Sequence, residues 1–429
     1  MKVHLKALGC RLNEAELENW SQTLLRQGMA LSPDAEDADL IIINTCAVTS
    51  DASRKSRNLI NRFHRQNPDA RLVVTGCHAS LTPEKTAATL GVDLVVANEQ
   101  KQKLPELLRD ALDLPPAPGA GHRRIALRER GRHRAFIKIQ DGCRYRCSFC
   151  IVTVARGDER SVAEADIIEQ INRFAAQGIQ EAVLTGVHVG GYGSDTGSSL
   201  TRLVQRILAE TDIPRLRFAS VEPWDLPNDF FALFRDPRLM PHIHLPLQSG
   251  SDSVLRRMSR RCKTDDFRRL VDRAREQVDG INITTDIIAG FPGETNQEWR
   301  ETMRFVESIG FGHLHIFPYS PREGTKAARM PNPVDKATRQ ARCKELAELG
   351  HAMKRRAMRG LIGSTQAILW EQPETTEDGH IVHHGYTPNF LRVRTRATGS
   401  TDLESRIAEA RMEAVDDRVP VLLAEPVAP

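Results

Sequence analysis

AFIKIQDGCRYRCSFC, residues 135–150, decides the fold of this chain. It opens as an apolar, strand-like run and then places Cys143, Cys147 and Cys150 on one loop, spaced C-x3-C-x2-C. Three thiolates on a tight loop can hold three irons of a [4Fe–4S] cluster and leave the fourth iron open to a small molecule. Structural zinc wants four ligands, commonly as paired C-x2-C knuckles. No fourth cysteine or histidine with suitable spacing lies nearby. The loop therefore points to a cluster rather than to zinc or to packing cysteines.

Downstream of this strand, five more strand-like runs alternate with stretches of helix length: 182–186, 216–220, 244–247, 282–288 and 313–317. Six strand–helix units suggest a partial (β/α)6 barrel, whose chemistry lies at the strand C-terminal ends. Cys143, His188, Glu222, Gln248 and Asp286 fall there. His188, His242 and His244 read as structural histidines, Cys262 and Cys343 as structural or surface thiols, and Trp224 as packing.

Upstream, the runs 2–8, 40–45, 72–75 and 94–97 are short and apolar, with helix-length polar stretches between them. That alternation predicts an α/β domain on a parallel sheet. Cys10, Cys46 and Cys77 each follow a strand end, where ligands of such sheets collect. Three cysteines distant in sequence are thus expected to meet at one sheet edge. From about residue 361 the pattern turns strand-rich (365–370, 380–382, 390–396), which reads as a small all-β module. The expected organisation is an α/β domain over 1–114, a basic linker over 115–134, the barrel over 135–360 and the β module over 361–429. All three domains are expected to face one cleft.

A chain of 429 residues is too long for one ordinary core. Its net charge of +4 says little about partners, but residues 122–134 (HRRIALRERGRHR) carry six arginines against one glutamate. Such a run suits phosphate contacts or a solvated face. No apolar run is long enough to span a bilayer, and the N-terminus lacks a signal-peptide pattern. The expectation is a cytoplasmic protein with no membrane partner, in which eight cysteines stay reduced.

The cysteine loop opening a six-unit barrel resembles the radical SAM (S-adenosylmethionine) superfamily. More of the chain resembles one branch, the methylthiotransferases: LGCRLN (8–13), NTCAVT (44–49), VTGC (74–77), IQDG (139–142), HLPLQSGSD (244–252), DIIAGFPGE (286–294) and FPYS (317–320). The β tail resembles that family's TRAM module for RNA contact. LGCRLN and HGYTPNFLRV (384–393) are most similar to the subgroup that acts on N6-threonylcarbamoyladenosine at position 37 of tRNA. Sister subgroups act on N6-isopentenyladenosine in tRNA or on a ribosomal-protein aspartate. The chain departs from the family at Thr153-Val154, where Pro-Tyr is usual, and at ARGDERS (155–161), which is more acidic than expected.

The resemblance implies two [4Fe–4S] clusters and SAM as cofactors. Cys143, Cys147 and Cys150 would ligate the first cluster, and Cys10, Cys46 and Cys77 an auxiliary one. One SAM would supply the methyl group, and a second the adenosyl radical that takes hydrogen from C2 of the base. Thr185 and Gly186, with Glu222, Gln248 and Asp286, are expected around SAM, a strand cap being the plain alternative for each. Arg156 and Arg160 are expected at the substrate's phosphate or carboxylate, or else as exposed loop arginines. Implied partners are a tRNA anticodon loop, a flavodoxin- or ferredoxin-type electron donor and a sulfur donor, with the enzyme a monomer.

Overall fold

The computed structural model describes residues 1–112, 133–396, 403–416 and 418–427. The basic linker lies outside these residues, except for its last two.

Residues 2–96 build a parallel sheet from β1 (Lys2–Ala7), β2 (Ala30–Leu31), β3 (Leu40–Thr45), β4 (Arg71–Gly76) and β5 (Leu94–Val96), in the order β2-β1-β3-β4-β5. Helices α1 (Arg11–Arg26), α2 (Ser50–Gln66), α3 (Cys77–Leu81), α4 (Pro83–Ala87) and α5 (Leu104–Leu112) connect and cover it. The run LIII in β3 is buried on both faces. Leu40 and Ile42 pack with α1 and α5, while Ile41 and Ile43 pack with α2. Alternate residues of a strand point to opposite faces, so an unbroken apolar run marks a sheet covered on both sides. The strand order reverses between β1 and β3, and the crevice beyond such a switch point is where ligands sit.

The middle segment contributes β6 (Arg134–Lys138), a short hairpin of β7 (Gln140–Asp141) and β8 (Arg160–Ser161) with α6 (Val152–Arg156) between its arms, and α7 (Glu164–Ala175). It continues through β9 (Glu181–Thr185), α8 (Leu200–Glu210), β10 (Arg215–Phe218), β11 (His242–His244), α9 (Asp252–Arg257), α10 (Thr264–Gln277), β12 (Asn282–Ala289), α11 (Asn296–Ile309), β13 (His313–Pro318) and α12 (Lys336–Arg359). Two parallel triplets, β6-β9-β10 and β11-β12-β13, are joined by the bridges Ser220–His244 and Leu216–Leu239. Six parallel strands therefore form one arc around a single core. The fourth strand ends at His244, earlier than the run 244–247 suggested; beyond it the chain stays alongside β12, the Leu245 amide donating to the Thr284 carbonyl at 2.9 Å and Gln248 bridging Ile287.

The C-terminal segment is a small closed barrel of β14 (Thr365–Trp370), β15 (Glu374–Thr375), β16 (Ile381–Tyr386), β17 (Arg392–Arg396), β18 (Ile407–Asp416) and β19 (Val421–Pro426), with β14 also pairing β16. The sequence reading placed no strand at β18 or β19. IAEARMEAVD is made of good helix formers, and pairing with β14 and β19 overrides that local preference.

This small barrel docks on the N-terminal ends of the arc strands. Arg215 Nη2 donates to the Ala367 carbonyl at 2.6 Å, Arg134 pairs with Glu371 at 2.8 Å, and Asn282 Nδ2 donates to the Asn389 carbonyl at 2.8 Å. Arg134, Arg215 and Asn282 each begin a strand. The expectation that all three domains face one cleft is thereby corrected, because the cysteine loop leaves β6 at the opposite end. Arg134, the last arginine of the basic run, is buried as a docking residue under the Tyr386 ring.

Candidate functional site

The three N-terminal cysteines sit at the C-terminal ends of β1, β3 and β4. Cys10 caps α1, Cys46 follows Thr45, and Cys77 opens α3. Asn13 ties the loops together, donating to the carbonyls of Leu8 (2.7 Å) and Thr45 (3.2 Å). Gly9 has φ +92°, and a Cβ there would lie 2.4 Å from Cys46 Sγ. Only glycine lets the two loops approach so closely. Burial, with Cys10 and Cys77 nearby, pushes the Cys46 thiol up to about 11.

The second set lies on the loop between β7 and α6. Gly142, at φ +73° and pressed on the Asp158 carbonyl, turns the chain into it. Ser148 pins it from across the arc, donating to the carbonyls of Met258 (3.0 Å) and Arg257 (2.8 Å). Arg260 Nη1 is 3.8 Å from Cys147 Sγ, and the Val152 amide is 3.4 Å from Cys150 Sγ. Burial raises Cys143 to about 12 and Cys150 to about 11, so metal binding there must displace protons. All eight cysteines are free thiols.

A buried ion network joins the two sets. Glu16 accepts from Lys101 (2.7 Å), Lys138 (2.9 Å) and Arg156 (3.1 Å). Asp141 pairs with Lys138 (2.7 Å) and Arg156 (2.9 Å). Arg156 Nη2 donates to Asn13 Oδ1 at 2.7 Å and its Nε to Cys77 Sγ at 3.2 Å. Three cations thus face two carboxylates, and a thiolate at Cys77 makes the charge even. That charge complement fits Cys77 as a metal ligand.

Arg156 is only 2% exposed and all three of its guanidinium nitrogens are engaged, which corrects its expected place at the substrate. The Arg156 side chain turns inward because Glu16, Asp141, Asn13 and Cys77 together accept from all three of its nitrogens. Arg160 stays exposed and donates to the Arg156 carbonyl at 3.0 Å.

Beside Cys150 lies a cleft of about 330 Å³. Val48 and Thr49 line it beside Cys46, Phe149 and Cys150 from the loop, Gln248 and Asp286 from the arc, and Phe317 from β13. Gln248 has φ +80°; its amide donates to the Asp286 carbonyl at 2.9 Å, and its side chain lines the cleft. Burial pushes the Asp286 carboxyl up, but the hydrogen bond from His244 and the charges of His244, His315 and Arg260 hold it below the usual range. Thr185 is buried, and its carbonyl accepts from the Ile139 amide at 2.9 Å. After Gly186, the amides of Val187 (3.1 Å) and His188 (2.8 Å) are taken by Gln140 Oε1. Glu222 accepts from the Gly190 amide at 3.1 Å, and burial raises its pKa.

No sequence pattern singles out the network residues Glu16, Lys101, Lys138 and Asp141, and His188, expected as a structural histidine, has both ring nitrogens satisfied. His188 lies between carboxylates, bonded to Glu159 on one nitrogen and to Asp225 (2.5 Å) on the other. Ligand atoms of Cys143, Glu159 and His188 fall within 4.8 Å of one another. The available signal was the glutamate of ARGDERS, an acid at an unexpected place.

Known proteins match this arrangement. Residues 2–97 fit the model described as Uncharacterized protein family UPF0004, and residues 137–306 fit the Radical SAM superfamily. The chain is 33% identical to the threonylcarbamoyladenosine tRNA methylthiotransferase MtaB of Thermotoga maritima, over 97% of this chain and 99% of that protein. Identity to the Bacillus subtilis protein of the same name is 33%, over 96% and 93%. The tRNA-2-methylthio-N(6)-dimethylallyladenosine synthase of Paracoccus denitrificans is 33% identical over 87% and 86%. Among solved structures, the radical S-adenosylmethionine methyltransferase TsrM from Kitasatospora setae shares the fold. Its TM-score is 0.57 at 18% identity, covering 88% of this chain and 79% of that one.

Proposed function

The chain belongs to the radical SAM methylthiotransferases, and from that membership we propose that it converts N6-threonylcarbamoyladenosine at position 37 of tRNA to its 2-methylthio derivative. The observation that carries the reading is the pair of three-cysteine sets brought together at neighbouring strand ends and joined through Arg156, with Cys150 of one set lining a cleft. The family's cofactors are SAM and [4Fe–4S] clusters. We assign Cys143, Cys147 and Cys150 to the cluster that binds SAM, and Cys10, Cys46 and Cys77 to the second. When bound, these groups supply the electron that splits SAM and the sulfur that is transferred.

The chain's own residues bind, orient and exclude water. Asp286, charged and held by His244, and Gln248 beside it offer polar contacts to the SAM ribose and methionyl groups. Thr185, Gly186 and Glu222 shape the neighbouring strand end. Phe149, Phe317 and Val48 wall the cleft with apolar surface, keeping a radical away from solvent. Arg160 remains a candidate contact for the substrate. The arc corresponds to a partial (β/α)6 barrel and the small C-terminal barrel to a TRAM module, with domains at 1–114, 135–360 and 361–429. An external electron donor, a sulfur donor, a monomeric state and the cytoplasm complete the reading; among the described residues no helix is long and apolar enough to cross a membrane.

The test is mass spectrometry of tRNA nucleosides from cells lacking the gene, with and without complementation. Loss and rescue of 2-methylthio-N6-threonylcarbamoyladenosine are expected. Loss of the 2-methylthio-isopentenyladenosine nucleoside instead would move the substrate to that of the Paracoccus relative. Unchanged tRNA with an altered ribosomal protein would move it to the third subgroup.

A further inference from the structure

A second cavity, of about 620 Å³, lies beside the cleft. It is lined by Ser53 and Arg57 of α2, His78 of α3, Lys85 of α4, and Arg322 on the loop after β13. Arg57, Lys85 and Arg322 come from three separate elements, and none lies within 4 Å of any described carboxylate. Glu323 is the single acid among the lining residues, and it is exposed. Arg322 is aimed by Ser53, whose hydroxyl accepts from its Nη2 at 3.0 Å. Unpaired cations from three elements converging on one space call for an anion.

The position of the cavity says which anion. Ile151, the residue after Cys150, lines both the cleft and this cavity. Ser320 lines the cleft and Pro321 the cavity; Ser50 fixes the wall between them, its amide donating to Ser320 Oγ at 3.1 Å and its hydroxyl to the Pro321 carbonyl at 3.4 Å. Val154, 68% exposed, stands at the cavity's edge as apolar surface. An isolated inorganic anion would need only a fraction of this volume. A chain of phosphates, one ribose away from a base held in the cleft, would use its length.

We infer that the cavity of Arg57, Lys85 and Arg322 seats backbone phosphates of the RNA strand whose base enters the cleft beside Cys150. The inference rests on the tRNA reading above and adds where the strand runs. Phosphate contacts of this kind fix register and orientation without reading sequence, and they make binding salt-dependent.

The experiment measures binding of a fluorescent anticodon stem-loop RNA to the full-length protein across a salt series. The variant is Arg57→Ala with Lys85→Ala, both exposed side chains. The control is Arg54→Ala with Lys55→Ala, also exposed, which removes equal charge from α2 but outside the cavity, where both residues pair with Asp51. Expected are a roughly tenfold weaker Kd at 0.1 M salt and a salt slope shallower by about 1.4, near 0.7 for each lost single-strand phosphate contact. The control pair should change neither, and melting temperatures should match across all three proteins. Equal weakening by both pairs, or no effect of the Arg57/Lys85 pair while wild type binds, would overturn the inference alone. A wild-type protein that binds no RNA would overturn the tRNA reading and this inference together.

Discussion

Arg156 Nε donates to Cys77 Sγ at 3.2 Å, although Arg156 closes the short helix that follows Cys150. One side chain thereby connects the loop of one cysteine set to Cys77 of the other. The same guanidinium holds Glu16 and Asp141, so an electrostatic contact is buried between the N-terminal sheet and the strand arc.

Arg156→Met should leave Glu16 and Asp141 with fewer cations in a dry site. Breaking a buried pair on one side costs about 3–5 kcal/mol, so a marked drop in melting temperature is expected. Arg156→Lys restores charge but not the planar fork, and should recover only part of the loss. Equal melting of wild type and the methionine variant would contradict the network's role.

Cys147→Ala should abolish SAM cleavage while iron remains on the N-terminal set. Cys46→Ala should do the reverse, sparing SAM cleavage and stopping methylthio transfer. Iron per chain and deoxyadenosine release, measured together, separate the two sets; SAM cleavage at the normal rate in Cys147→Ala would end the assignment.

Gly9→Ala places a methyl group 2.4 Å from Cys46 Sγ and at a positive φ that alanine rarely adopts. The strain is local to the N-terminal set. Iron content should fall by about the share of one cluster, with SAM cleavage retained. Full iron loading of both sets in this variant would show that the loop relaxes freely.

Glu181, buried between Arg217 (3.0 Å) and Arg134 (2.9 Å), makes stability depend on acid pH. Burial raises its pKa, but the two arginines hold it down at about 2. A depressed carboxylate stabilises the fold above its unfolded pKa of about 4.3 and loses that contribution as pH falls through the folded value. Glu181→Gln should melt below wild type at pH 7, by an equivalent of about 3 kcal/mol, with the gap closing between pH 4 and pH 2. A gap that stays constant over that range would refute the linkage.

The order of the elements and the grouping of the cysteines were legible in the sequence. Residues on one short loop, such as Cys143, Cys147 and Cys150, are brought together by local chain geometry, so their spacing alone groups them. Cys10, Cys46 and Cys77 were legible for a related reason: parallel strands deliver the residues after them to a common edge. The apolar run of β3 announced a sheet covered on both faces. The fate of charged residues was settled by packing between distant segments. Arg156, expected at the substrate or else exposed on its loop, became the buried link between the sets. Arg134 looked like part of an RNA-binding run and became the seat of the small barrel. Glu16 and Lys138 carried no signal at all. A charge gives the same one-letter symbol whether it faces water or a buried partner from another domain. Its role is set by which surfaces close over it, and no local pattern encodes that.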